Sequence, residues 1–138
     1  MPLPVSPIGP LVLLVDDFED ARVMYGEYLN RMGYRVMEAA TGEEALDVAA
    51  RDTPDVILLD MLLPGVDGWE VTRRLRSAEL TRTIPIIALT AHTLERERDR
   101  TERAGCDLFL AKPCLPADVA AAIARVLGAR ATPAGTTT

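Results

Sequence analysis

Lysine is almost missing from this chain: of 15 basic residues 14 are arginine, and Lys112 stands alone. Histidine occurs once, at His92, and cysteine twice, at Cys106 and Cys114. The two thiols are eight residues apart, with neither the close spacing of a redox pair nor enough neighbouring His or Cys for a zinc site, so they read as buried or idle. Long apolar runs are absent as well. The N-terminal MPLPVSPIGP has no basic residue and too many prolines for a signal peptide, and the LVLLV after it is far too short to span a bilayer. Nor is there an excess of positive charge: 21 acids against 15 bases give a net charge of −6 and a pI near 4.8. That balance disfavours loose attraction to nucleic acid or an anionic membrane. These absences leave a soluble, cytoplasmic protein whose 138 residues give room for one domain and a single core.

The stretch that organises the rest is DVILLDMLLPGVDG, residues 55–68. Val56 to Leu59 form an apolar run too short for most helices and rich in β formers. It leads directly into Asp60, after which Pro64, Gly65 and Gly68 mark a turn. This pattern predicts a buried strand that ends in a carboxylate. In an open parallel sheet the ligand crevice lies outside the carboxyl ends of the strands, so Asp60 is the first residue to explain.

In chain order, LVLLV at 11–15 predicts a first strand, followed by Asp16 and Asp17. Ala21, Met24, Tyr25, Tyr28, Leu29 and Met32 recur at helical spacing up to Gly33. Residues 34–39 predict a second strand, and Thr41 with Glu44 is a capping-box signature for a helix through Ala45, Leu46, Val48 and Ala49. After the Asp60 strand, Asp67 with Glu70 opens a helix carrying Trp69, Val71 and Leu75. The run at 84–90 predicts a fourth strand ending in Thr90, residues 93–104 a helix, and 107–113 a short strand ending at Lys112. Pro116 starts a last helix with Val119, Ile123, Val126 and Leu127 inward, stopping at Gly128. Five apolar strands alternating with five helices imply an α/β fold with a parallel sheet covered on both faces.

Strand ends that precede helices often carry Asp or Thr only as caps. Here four of the five strands end in a polar residue suited to chemistry, and in a parallel sheet Asp16, Asp17, Asp60, Thr90 and Lys112 all fall on one edge. Crowded carboxylates repel unless a cation relieves them, and a hard divalent ion such as Mg2+ suits two or three protein oxygens completed by water and a phosphoryl group. A central carboxylate can itself accept a phosphoryl group, which makes Asp60 the candidate nucleophile. The lone lysine supplies a compact charge and the Thr90 hydroxyl a hydrogen bond to a phosphoryl oxygen.

Asp16-Asp17, Asp60 with Pro64 and Asp67-Gly68 behind it, Thr90-Ala91 and Lys112-Pro113 together resemble the motif set of response-regulator receiver domains in two-component signalling. The likeness spans residues 11–128, between an irregular lead-in at 1–10 and a tail at 129–138 expected to be disordered or to begin a linker. It implies a flavodoxin-like, doubly wound sheet of order 2-1-3-4-5. It also implies that Asp60 receives a phosphoryl group from a histidine kinase or phosphotransfer protein. Asp17, Asp60 and the Leu62 carbonyl would hold magnesium, and Asp16 would reach it through water. Thr90 and Phe109 would form the switch pair, and the Lys112–Pro113 peptide would be cis. Leu62 and His92 would flank the site and influence the lifetime of the phosphoryl group.

The fourth helix, TLERERDRTERAG, is atypical. It is nearly bare of aliphatic residues, and its possible pairs Glu95–Arg98, Glu97–Arg100 and Asp99–Arg103 are worth only about 0.2–0.5 kcal/mol each, which predicts a weakly held, mobile helix. Trp69 reads as a packing residue, and Arg73, Arg74 and Arg76 as a solvated face. An aspartyl-phosphate phosphatase usually has a second acid two residues after the nucleophile, where this chain has Leu62. A flavin carrier needs a phosphate-cradling loop where this chain has Asp16 and Asp17. The chain is thus expected to be a signalling switch that catalyses only its own phosphorylation and dephosphorylation. It would contact an unknown downstream protein but not DNA, as a monomer or a phosphorylation-dependent dimer. The alternative is a receiver-like module that binds partners without being phosphorylated.

Overall fold

The apolar runs pair as expected. The computed structural model describes residues 9–91 and 95–131. Its elements are β1 (Leu11–Val15), α1 (Glu19–Arg31), β2 (Arg35–Ala39), α2 (Gly42–Asp52), β3 (Val56–Asp60), α3 (Gly68–Ser77), β4 (Ile86–Thr90), α4 (Glu95–Ala104), β5 (Leu108–Ala111) and α5 (Pro116–Ala131). All strand pairings are parallel and the order is β2-β1-β3-β4-β5.

Alternation along each strand divides the core in two. Leu13, Val15, Ile57, Leu59, Ile86 and Ala88 meet Ala45, Val48, Trp69, Val71, Leu75 and Ala104 from α2, α3 and α4. Val12, Leu14, Val56, Leu58, Ile87 and Leu89 meet Tyr25, Leu29, Val119 and Ile123 from α1 and α5. Because β3 is central and covered on both faces, all five of its residues are buried, the terminal Asp60 included.

The caps fall where the sequence puts them. Thr41 Oγ1 accepts from the Glu44 amide at 3.1 Å, and the Glu44 carboxylate accepts from the Ala40 amide at 2.7 Å. An Asp67 carboxylate oxygen accepts from the Glu70 amide at 2.9 Å, which fixes the start of α3.

Several boundaries differ from expectation. Met24 and Met32 are 45% and 56% exposed, and α1 buries only Tyr25, Gly26 and Leu29. The reason is that Met32 lies past the last helical turn, while Met24 flanks the narrow inward seam and lines a shallow groove with Val23, Tyr28 and Pro116. The last helix does not stop at Gly128 but runs to Ala131, because Gly128 keeps a negative φ instead of the left-handed turn of a stop. Expected strand 107–113 shortens to Leu108–Ala111, and the Lys112–Pro113 peptide beyond it is cis. Just before β5 the Asp107 amide still donates to the Ile86 carbonyl at 2.8 Å, and its carboxylate accepts from the Ile86 amide and from Arg76, each at 2.8 Å. Residues 1–8 of the expected lead-in and 132–138 of the expected tail lie outside the described residues.

The arginine face also divides. Arg73 and Arg74 do pair with Glu70 at the surface, and these hydrogen bonds, Arg74 first, hold the Glu70 carboxyl below its ordinary pKa. Arg76 is instead a structural tie. It donates to the carbonyls of Gly105 at 2.9 Å, Arg82 at 3.0 Å and Ile84 at 2.7 Å, and pairs with Asp107 at 2.8 Å. It thereby joins the end of α3 to the loops before β4 and β5. Arg76→Leu strands these acceptors and should cost about 2–3 kcal/mol in urea unfolding, whereas Arg73→Ala should stay within about 0.5 kcal/mol. With little aliphatic surface under it, α4 should exchange its amides faster than β1 and β3; protection there equal to the central strands would contradict a weakly held helix.

Candidate functional site

Parallel pairing brings the strand ends to one edge. Asp60 ends β3, Asp16 and Asp17 follow β1, Thr90 ends β4 and Lys112 follows β5. Asp16 and Asp60 are buried at 1% and 5% exposure, while Asp17 is open to solvent. One carboxylate oxygen from each of the three lies within 4.8 Å of the others. Lys112 Nζ reaches Oδ2 of both Asp16 and Asp60 at 3.2 Å.

Local backbone aims these groups. Asp16 Oδ1 accepts from the Phe18 amide at 2.9 Å and Asp60 Oδ1 from the Leu62 amide at 3.0 Å, each a turn closed two residues on by its own side chain. Both carboxylates therefore keep one oxygen on the backbone and turn the other to Lys112. Arg22 donates to the Asp16 carbonyl at 2.7 Å and to Glu38 at 3.0 Å, a support that no spacing in the sequence announces. Gly65 takes the left-handed φ of +75° in the loop after Asp60. Gly68 lets α3 start hard against that loop: its amide donates to the Met61 carbonyl at 2.9 Å, and a Cβ there would come within 2.5 Å of Met61 Cα.

The remaining candidates fall as follows. Thr90 is buried at the same edge, and its carbonyl accepts from the Lys112 amide at 2.8 Å. Phe109 is half-buried on β5, with the Arg98 guanidinium 4.5 Å from its ring centroid. Leu62 is 45% exposed. Trp69 packs inside as expected, 3% exposed, donating its indole N–H to Thr101 at 3.1 Å. His92 lies outside the described residues. Both cysteines are free and half-buried; burial pushes the Cys106 thiol up to about 11 and also raises Cys114, so neither is a ready thiolate at neutral pH.

A family model described as the response regulator receiver domain matches residues 12–124. The chain belongs to this receiver family. It is 37% identical over 102 residues to the polar-differentiation response regulator DivK of Brucella ovis, covering 74% of this chain and 83% of that protein. Among solved structures, chemotaxis protein CheY4 of Vibrio cholerae superposes with a TM-score of 0.82 at 32% identity, covering 86% of this chain and 98% of that one. The receiver domain of a sensor histidine kinase from Pseudomonas aeruginosa superposes with a TM-score of 0.81 at 38% identity, covering 87% of this chain and 98% of that one. That structure has a magnesium ion coordinated in its active-site cleft. Receiver domains are signalling modules of two-component systems, and the acid cluster of this one has the composition for a hard divalent cation. Among the described residues no helix is long and apolar enough to cross a membrane.

Charge dominates the receiver site. Burial is the largest single influence on Lys112 and pulls its pKa down, but the charges and hydrogen bonds of Asp60 and Asp16 together raise it above the ordinary lysine value. Tyr25, whose hydroxyl donates to the Cys114 carbonyl at 2.8 Å, is raised chiefly by burial. In both cases the folded state holds its proton more tightly than the unfolded chain. Their stabilisation is therefore complete below about pH 10 and lost as pH rises through the raised values. Urea unfolding of the metal-free protein should show stability falling above about pH 10, and falling less steeply in Lys112→Met and Tyr25→Phe.

Proposed function

We propose that Asp60 is the phosphoryl acceptor of a cytoplasmic response regulator. The observation that carries this reading is the convergence of Asp16, Asp17 and Asp60 within 4.8 Å, with the only lysine bridging the two buried members. A buried carboxylate held by one oxygen and presented by the other is poised for attack on phosphorus. In the transfer an Asp60 oxygen bonds the phosphorus as the phosphorus–nitrogen bond of a phosphohistidine breaks. The bonding pair stays on the imidazole nitrogen, which takes up a proton. The donor is a histidine kinase or a phosphotransfer protein.

Asp16, Asp17, Asp60 and the Leu62 carbonyl would hold magnesium, which supplies charge neutralisation at the phosphoryl oxygens. Lys112 neutralises the acids in the resting site and then pairs with the phosphoryl group, and Thr90 donates its hydroxyl to a phosphoryl oxygen. Thr90 and Phe109 act as the switch: the hydroxyl moves toward the new charge and the ring follows inward. The altered α4, β5 and α5 face then selects a downstream protein. The chain turns over no substrate beyond its own phosphorylation and dephosphorylation.

Intact mass after incubation with a small phosphodonor tests the assignment. We expect a gain of one phosphoryl group that needs magnesium and is lost in Asp60→Asn. Lys112→Ala should accept the group at least ten-fold more slowly, since a compact positive charge at such a site is worth about 1.4 kcal/mol or more. No gain under any condition would shift the reading to a partner-binding module that is never phosphorylated.

A further inference from the structure

We infer that Arg98 is a positioning residue for the Phe109 ring, holding it outward against α4 in the resting protein. The inference rests on the reading of Asp60 as phosphoryl acceptor and Phe109 as switch.

The question arises from how α4 is attached at all. Its sequence ERERDRTERA offers almost no aliphatic surface, yet it lies beside α3 and β5. Among the described residues, neither Glu97–Arg100 nor Asp99–Arg103 forms an ion pair within the helix. Two of its arginines, Arg98 and Arg100, lie over rings instead. The Arg98 guanidinium carbon sits 4.5 Å from the Phe109 centroid and that of Arg100 3.9 Å from the Trp69 centroid. Arg100 also approaches Asp67, the cap of α3, at 4.0 Å, and buried Thr101 accepts the Trp69 indole proton. Arg100 and Thr101 thus fasten α4 to α3, whereas Arg98 is its cation on β5.

The Phe109 ring packs at the margin of the core between the sheet and α2, α3 and α4 rather than inside it. It is half-buried, and its cross-strand partner on β4 is Ala88, the small residue in a run of Ile and Leu. The guanidinium on its face adds to that marginal core contact in keeping it in place. Phosphorylation that draws the ring inward must break this contact. By linkage, removing the contact favours the inward ring before any phosphorylation and eases phosphorylation itself.

The chain has only two phenylalanines, so fluorophenylalanine labelling gives one signal for Phe109 and one for Phe18, which lies on the β1–α1 loop just before α1. Spectra of the unphosphorylated full-length protein are compared with those after a small phosphodonor and magnesium. Arg98→Gln keeps length without charge, and Arg98→Lys keeps charge. In R98Q the resting Phe109 signal should move toward the position it takes in phosphorylated wild type while Phe18 stays, and the initial phosphorylation rate should rise about two- to five-fold. R98K should lie near wild type in both readouts. An unmoved Phe109 signal in R98Q, equal shifts in R98Q and R98K, or a Phe18 signal moving just as far would overturn the positioning role. If wild type itself gains no phosphoryl mass, the acceptor reading fails and the coupling to it fails with it. The resting spectra of R98Q and R98K then decide the ring contact on its own.

Discussion

Everything at the working edge depends on one ammonium between two buried carboxylates. Asp16 and Asp60 end up inside because β1 and β3 are the central, doubly covered strands, and burial there costs several kcal/mol per unpaired charge. Lys112, arriving from the far strand β5, makes the arrangement tolerable by sitting 3.2 Å from both. The contact spans strands that are not neighbours, since β4 lies between β3 and β5. It therefore exists only when β1, β3, β4 and β5 have come together. The site is in this sense a product of the complete fold, and the raised pKa of Lys112 is the trace of it.

The strand ends were legible because apolar runs with a polar terminus carry their own boundary. Five parallel strands, their order and the common edge of Asp16, Asp60, Thr90 and Lys112 all followed from that pattern and the receiver likeness. Capping was equally local: Thr41 with Glu44, and Asp67 with Glu70, involve atoms three residues apart. What stayed hidden involved distant partners. Arg76 looks like its neighbours Arg73 and Arg74, and only the approach of residues 82–84 and 105–107 turns it into a tie. Arg22 under Asp16 is of the same kind. The methionines of α1 misled for another reason: helical periodicity shows an apolar stripe but not how much of its width is covered.

For α4 the expected pairs supposed that a charged helix satisfies its charges within itself. A guanidinium has a second option, because its flat faces are weakly hydrated and can lie on an aromatic ring while its edge keeps water. Arg98 and Arg100 take that option, since Phe109 and Trp69 present rings where an aliphatic side chain would otherwise pack. The helix is thus joined to the body through polar, reversible contacts. Its attachment answers to the position of two rings, one of them on the strand that delivers Lys112.

The unequal use of the two basic residues then has a physical reading. Arg76 satisfies four oxygens lying in different directions, which needs the fan of donors on a planar head. Arg98 and Arg100 set the same weakly hydrated group over an aromatic ring. Neither property helps between Asp16 and Asp60, where the partners are two single oxygens and, under the proposed role, a phosphoryl group that must be admitted without moving the backbone. A small ammonium on a flexible stem can trade one oxygen for another by rotating a few bonds; a guanidinium would have to break and remake a fixed pair of hydrogen bonds. Under that proposed role, the one position where the chain keeps lysine is the one where the cation would change partners.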